Sequence, residues 1–480
     1  TLSLYDALLF YIYRFLIFSS LIFTASSCED IVEGINENPN DLTVADVDEV
    51  LFLTGGQLAN IQLQSGHLNR VSGMYSGQLI GIQALYSNIY GYNLSTGEAN
   101  DEWSALYVGV MTNMRHIIEN SNSDLLRGIA MIIQGHAFGT AASLWGDIPF
   151  SEAGNPEIAD PIYDNQVAVY AGAISLLDEG INTLNGATST PISKDIYFNG
   201  DKSKWIAAAN TLKARFYLHQ KDYASALSAA QTGIASSDGD MKFTPGSAVS
   251  GDTNLFWTIL AGSRAGDLGN KTDTDESYLL QILDASNALS RNHAKTDEAA
   301  RRAYYIINPS GDNDGIVQER EPQNMVTYFE NKLIMAEAAG RSGGVATGLT
   351  HLNEVRAWLN SGGNLNANYS GLAYNYAPFV AADFESGGIE NVSGALSAND
   401  AFLREVIEER YVSGFGMHMP YNDARRLRKS DSAIAVPYIM VGADNSRKPE
   451  RMPYAQNELN SNSNAPDEDP GIFTKTPVNQ

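Results

Sequence analysis

Lys204-Trp-Ile-Ala-Ala-Ala-Asn-Thr-Leu-Lys-Ala-Arg-Phe-Tyr-Leu-His219 is followed almost at once by Asp222-Tyr-Ala-Ser-Ala-Leu-Ser-Ala-Ala230. In the first segment Trp205, Ala208, Ala209, Leu212 and Phe216 recur at steps of three and four residues, which places them on one face of a helix. Tyr223, Ala226, Leu227, Ala230 and Ile234 keep the same step in the second. Two amphipathic helices with so short a join form an antiparallel pair, and alanine at the crossing lets the axes approach. The spacing predicts a mainly α protein assembled from helix pairs.

The same pattern extends in both directions. Asp222 to Ala230 resembles the second helix of a tetratricopeptide repeat. Leu125 to Trp145 reads as one helix and Gln166 to Leu184 as another, with Tyr170, Ala173, Ile174 and Leu177 in step. Tyr328 to Ala339 reads as a helix stopped by Gly340, the usual left-handed terminator, with Leu349 to Leu359 as its partner. Pairs spread this far apart predict an irregular helical solenoid of tetratricopeptide-like pairs, with long loop insertions and minor short β-hairpins. The insertions, notably 86–102, 236–276, 308–323 and 360–399, are rich in Gly, Asn, Ser and Tyr. They exceed ordinary connections, and long loops on a rigid scaffold often carry function.

Composition excludes several classes. The chain has 480 residues, with 31 Lys and Arg against 56 Asp and Glu, a formal charge of -25. So negative a field repels phosphate backbones, which argues against a nucleic-acid partner. A single cysteine, Cys28, makes an intramolecular disulfide impossible and excludes a zinc site built on several thiolates. Its position is informative. Cys28 follows an apolar run from Phe15 to Thr24, with Arg14 before the run and Ala25, Ser26 and Ser27 after it. A short apolar core with these flanks reads as a secretory signal over residues 1–27, since a spanning helix needs about 20 unbroken apolar residues. Ending on small residues and Cys resembles a bacterial lipobox, in which Cys28 is acylated and anchors the mature chain to a membrane without spanning it.

The candidate chemistry is sparse. None of the seven histidines forms the pair at four-residue spacing that a helical metalloprotease site requires. Gly340-Arg-Ser342-Gly-Gly344 has the spelling of a nucleophile elbow, but that turn needs a strand before it, and here a helix precedes. Ser310, Asp312, Asp314, Gly315 and Glu321 occupy positions 1, 3, 5, 6 and 12 of calcium-loop spacing. The flanks do not read as helices, so a plain Asn-Asp-Gly turn between short strands is the favoured reading, with calcium as the alternative and no other cofactor implied. The basic run Arg425-Arg-Leu-Arg-Lys429 reads as paired with nearby carboxylates in so acidic a chain. Aromatics offer a different kind of site. Tyr86, Asn88, Tyr90, Tyr92 and Asn93 put three phenols and two amides in one flexible stretch, and Trp257 would form an opposing wall. Flat rings meet the C–H faces of sugars and amides meet the hydroxyl edges. Tyr304 and Tyr305 are similar candidates in another insertion.

Several longer segments together resemble the SusD/RagB-like nutrient-binding outer-membrane lipoproteins. They are Trp103 to Asn113, Ala137 to Ala153 with its Trp-Gly-Asp-Ile-Pro core, Lys204 to Arg215, and Met325 to Ala339 with its Ala-Glu-Ala step. Glu408-Glu-Arg-Tyr, Asp423-Ala-Arg-Arg426 and Arg451-Met-Pro-Tyr through Asn460 extend the resemblance to nearly all of the mature chain. It implies a single body over 28–480, lipid-anchored at the outer membrane and facing the cell exterior. There it would act as a lid over a TonB-dependent β-barrel transporter that imports the captured nutrient, most often an oligosaccharide. It also implies binding without catalysis. The alternative is a secreted helical glycoside hydrolase working through a carboxylate pair, a feature defined in space rather than in sequence.

Overall fold

The computed structural model describes residues 48–246, 252–260, 262, 264–309, 312–428 and 430–480. The body considered below is the compact unit Glu49–Gln480. The signal at 1–27 and Cys28 lie outside the described residues.

The body begins with α1 (Glu49–Ser65), α2 (His67–Tyr75) and α3 (Thr112–Asn120). Then come α4 (Asp124–Trp145), α5 (Gln166–Gly186), α6 (Lys202–His219) and α7 (Tyr223–Ala230), followed by α8 (Tyr328–Gly343) and α9 (Val345–Leu359). α1 packs on both α2 and α3, and from α3 onward each helix packs on the next, which is the expected irregular solenoid. α10 (Ala398–Ser413) lies on α8, and α11 (Met419–Arg426) on α10. The starts follow local capping chemistry: the side chains of Ser123, Asp201 and Asp222 accept from the backbone N–H groups of Leu126, Ser203 and Ser225. At the start of α2 Gly66 has no side chain to offer, and Glu102 Oε1 accepts from Leu68 N instead at 3.2 Å.

Among the described residues, short strands form four antiparallel pairs. β1 (Ile80–Gly81) pairs with β5 (Leu268–Gly269), β2 (Ile148–Pro149) with β3 (Tyr163–Asp164), β4 (Met241–Phe243) with β7 (Gln323–Val326), and β6 (Thr296–Asp297) with β8 (Asn375–Tyr376). β2 and β3 close a local loop, while the other three pairs join distant parts of the chain and pin the insertions to the helical body.

Two local expectations are corrected. Gly340 does not stop α8. A Cβ there would lie 2.6 Å from the Phe402 ring, so Gly340 serves the close crossing of α8 and α10. The helix runs on to Gly343, and Gly344, at φ +74°, turns the chain into α9. The stretch beginning at Tyr86 is not a flexible loop: residues Ala84–Tyr90 are helical, with Tyr86, Ile89 and Tyr90 inside at steps of three and one. Alternate tyrosines suggested one period, and the buried residues follow another.

Close packing between helices rests on glycine. In α4, Gly128 and Gly135 face carbonyls of α5 at Gly180 and Ala173, and Gly139 faces Phe216 of α6. Buried charge ties the later helices together. Glu337 of α8 meets Arg410 of α10 at 2.5 Å and Arg426 of α11 at 2.8 Å, and Asp423 meets the same two arginines. Burial alone would raise the Glu337 pKa, but Arg426, Arg410 and Arg341 hold it well below the usual carboxylate range. A second cluster joins Arg291 and Arg301 to Glu298, Glu405 and Glu409. The basic run therefore reads largely as expected. Arg426 and Arg428 pair with carboxylates, while buried Arg425 donates to the carbonyls of Ser143 and Glu450, and Lys429 lies outside the described residues.

Two measurements test this packing. A Cβ at Gly139 would sit 2.1 Å from the Phe216 ring, so Gly139→Ala should lower unfolding free energy by about 1–3 kcal/mol in urea titrations. Burial, reinforced by nearby arginines, lowers the His418 pKa from 6.5 to about 4. Between those values the unfolded chain binds the extra proton, so this residue's contribution to stability falls as pH drops from 6.5 to about 4. Glu405 and Glu408, raised by burial, act in the opposite sense above 4.5. The difference between wild type and His418→Gln, measured as urea midpoint against pH, isolates the histidine: wild type should lose stability relative to the variant as pH drops from 6.5 to about 4.

Candidate functional site

Pairing of β4 with β7 sets Lys242 beside Asn324 and Phe243 beside Gln323, with an irregularity in register between Met241 and Lys242. Behind this ribbon, the start of α8 supplies Phe329 and the end of α9 supplies Trp358. Their rings stack with centroids 5.7 Å apart and planes 23° apart. Tyr304 and Tyr305, closing a short helix over Ala299–Tyr305, add a second aromatic wall, with Tyr305 edge-on to Phe415 at 5.1 Å. A further short helix, Leu255–Leu260, contributes Phe256. Together these elements enclose a cavity of about 160 Å³.

Asn254 organises one side of it. Its Oδ1 accepts from the N–H groups of Phe256 and Trp257, which starts the helix, and its Nδ2 donates to the carbonyls of Ile316 and Glu321. The carboxylates that line the cavity are committed. Asp240 accepts from Tyr328 N at 2.6 Å and pairs with Lys242 at 3.1 Å, with burial raising its pKa. Glu321 accepts from the Tyr304 hydroxyl at 2.9 Å and from Asn366 at 3.0 Å. The amides are less committed. Gln323 Oε1 accepts from Leu255 N, and the Asn364 side chain, its Nδ2 shielded from solvent, lies against the Tyr305 phenol. The arrangement can stack an apolar ring face and hydrogen-bond its polar edge, and it holds no free acid–base pair.

The residues expected from the 86–93 stretch, and Trp257, do not line this cavity. Tyr86 is buried and its hydroxyl accepts from Arg70 Nε at 2.7 Å. Tyr90 is also buried, donating to the Val441 carbonyl at 2.9 Å. Tyr92, half-buried at φ +69°, directs its hydroxyl to the 444–447 turn. Asn88 and Asn93 are exposed, and Trp257 is half-buried beside Phe256. Arg70 links the two expected walls, since it holds Tyr86 and also lies 5.9 Å from the Phe256 ring centre. Tyr304 and Tyr305, singled out by composition, do line the cavity. Phe329, Trp358, Asn324 and Asn364 were not visible beforehand. The first two read as ordinary residues of amphipathic helices, and nothing local signals that β4 and β7 meet.

The calcium spacing finds another explanation. Ser310 lies outside the described residues. The Asp314 carboxylate accepts from the Tyr369 hydroxyl, and both Glu321 oxygens are used as above. A helix rather than a strand precedes the turn, contrary to the reading of its flanks, because Ala300, Arg301, Tyr304 and Tyr305 form a buried helical face. Gly315 is required by packing: a Cβ there would lie 2.1 Å from the Tyr304 carbonyl oxygen. Among the described residues no group of three or more His, Cys, Asp or Glu is placed to hold a metal ion, and no helix is long and apolar enough to cross a membrane. Ser342 sits within α8 and donates to the Ala339 carbonyl, so the nucleophile-elbow spelling has no strained turn behind it.

Comparison with known proteins agrees with the geometry. Residues 39–246 match a SusD-like family described as starch-binding and associating with the outer membrane. A chitin-binding SusD homologue from Flavobacterium johnsoniae superposes with a TM-score of 0.64 at 19% identity, covering 89% of this chain and 98% of that one. A SusD homologue from Bacteroides uniformis gives 0.64 at 18% identity, with 90% and 99% covered. A SusD/RagB family protein from Bacteroides thetaiotaomicron gives 0.60 at 19%, with 87% and 95% covered. None of the curated proteins matches the sequence. The resemblance read from the sequence is thus borne out: residues 39–246 match the SusD-like family, and the body has the fold of SusD/RagB proteins.

Proposed function

We propose that this chain is a lipid-anchored outer-membrane protein that captures an oligosaccharide and passes it to a TonB-dependent β-barrel transporter, without catalysis. The observation that carries the reading is the match of residues 39–246 to the starch-binding, outer-membrane-associated family, on a body with the fold of SusD homologues. The signal at 1–27 and the acyl attachment at Cys28 supply the anchor. The absence of catalysis is supported by the carboxylates of the cavity, since Asp240 and Glu321 are each occupied by protein donors and neither is poised to move a proton to a substrate. Outward-facing Asn88 and Asn93 with the edge of Trp257 form the capture surface, while Tyr86 and Tyr90 hold that surface in place from within.

Starch and chitin fragments are the first ligands to try, because the family description and one structural relative name them. The purified chain should bind maltohexaose or chitohexaose in calorimetry and release no shorter sugars on prolonged incubation. Trp257→Ala and Asn88→Ala should each weaken hexamer binding by about threefold or more with unchanged melting curves, as expected of surface contacts that stack or hydrogen-bond. No binding to either series, or steady release of products, would overturn the reading. Co-purification of a large outer-membrane barrel from cells carrying the chain, lost on Cys28→Ala, tests the anchored partnership.

A further inference from the structure

We propose that the cavity between the Phe329–Trp358 stack and the β4–β7 ribbon takes a single neutral sugar ring, so that the protein grips a saccharide by its end. This rests on the oligosaccharide reading above and specifies how the chain is held.

Size and closure argue for one ring. The cavity is about 160 Å³, enough for a ring and not for a run of them. Its floor is made by Phe415 and Tyr305, both 3% exposed, while Pro322 and Gly363 at the mouth are exposed. A chain entering at the mouth meets a closed floor, so only a terminal ring reaches the stack.

Charge argues for neutrality. Asp240 is balanced by Lys242, and both Glu321 oxygens already accept hydrogen bonds. No lining cation is left over to neutralise a carboxylate or sulfate, and burying such a group unpaired is costly. Hydroxyl or acetamido groups are a better fit. Asn364 lines the cavity beside the Tyr305 phenol, and Asn324 lines the same space from the ribbon. A neutral amide can offer a hydroxyl or acetamido group either a donor or an acceptor.

The test separates the cavity from the outer surface. Maltohexaose, glucose, chitohexaose and N-acetylglucosamine are titrated into wild type and into Asn324→Leu, Asn364→Leu, Asn88→Ala and Trp257→Ala. In the series that binds, the monosaccharide should bind alone. Asn324→Leu and Asn364→Leu should each lower its affinity by at least about tenfold, the scale of losing buried hydrogen bonds, while Asn88→Ala and Trp257→Ala weaken only the hexamer. A hexamer that binds while its monosaccharide does not, or a monosaccharide indifferent to both cavity variants, overturns this proposal and leaves oligosaccharide capture standing. No binding of any sugar removes both. If a cavity variant misfolds, crystals of the wild type soaked in the monosaccharide decide the matter: ring density between Trp358 and Asn364 supports the proposal, and density elsewhere overturns it.

Discussion

A carboxylate shut away from water must be neutralised, and Glu337 meets that requirement with Arg410 and Arg426, drawn from two other helices. The attraction cannot be satisfied unless α8, α10 and α11 are all in place. Stranding a charge of this kind by removing one partner costs about 3–5 kcal/mol, whereas the intact set contributes less to stability than to the choice of one arrangement. Arg215 makes a similar junction earlier in the body, with Glu330 of α8 and the Met325 carbonyl. α8 is therefore held from both sides by fixed charge, and its first turn carries Phe329 into the cavity.

The cavity inherits its shape from those constraints. Phe329 cannot move without α8, and Trp358 cannot move without α9, which Gly344 folds back against it. Asn254 spends all its hydrogen-bonding capacity on backbone and so fixes the wall that presents Phe256. Rings are immobilised by packing and amides are left available, a division suited to recognising a ligand with flat apolar faces and polar edges. The carboxylates, which could have carried acid–base chemistry, are used instead to hold tyrosines, a lysine and backbone.

Much of the fold was legible because the segments that resembled a family are the fasteners of the structure. In the Trp-Gly-Asp-Ile-Pro segment, Trp145 Nε1 donates to the Pro453 carbonyl at 2.8 Å, and the Tyr454 hydroxyl donates to the Asp147 carbonyl at 2.7 Å. The Ala-Glu-Ala step is Glu337, and the Glu-Glu-Arg-Tyr and Asp-Ala-Arg-Arg segments supply its arginines and Asp423. Residue types that are costly to bury alone stand out in a helical pattern, which is why these segments were noticeable. Tyr86 and Tyr90 were misplaced for the opposite reason. A seven-residue helix offers too few turns to show its period, and a tyrosine that anchors from within looks in sequence like one that faces outward.

By itself, the sequence determined the helical pairs, their caps, the acidic and nearly cysteine-free character of the body, and the charged residues that had to find partners. Those properties depend on periodicity within a few turns or on composition, and both are local. The tertiary structure alone decided which insertions became walls. Phe329, Trp358, Asn324 and Asn364 converge because β4 and β7 pair across some eighty positions of chain and because α8 and α9 fold together at Gly344. Contacts closed over such separations leave no spacing to read, so the cavity appears only when the chain is folded.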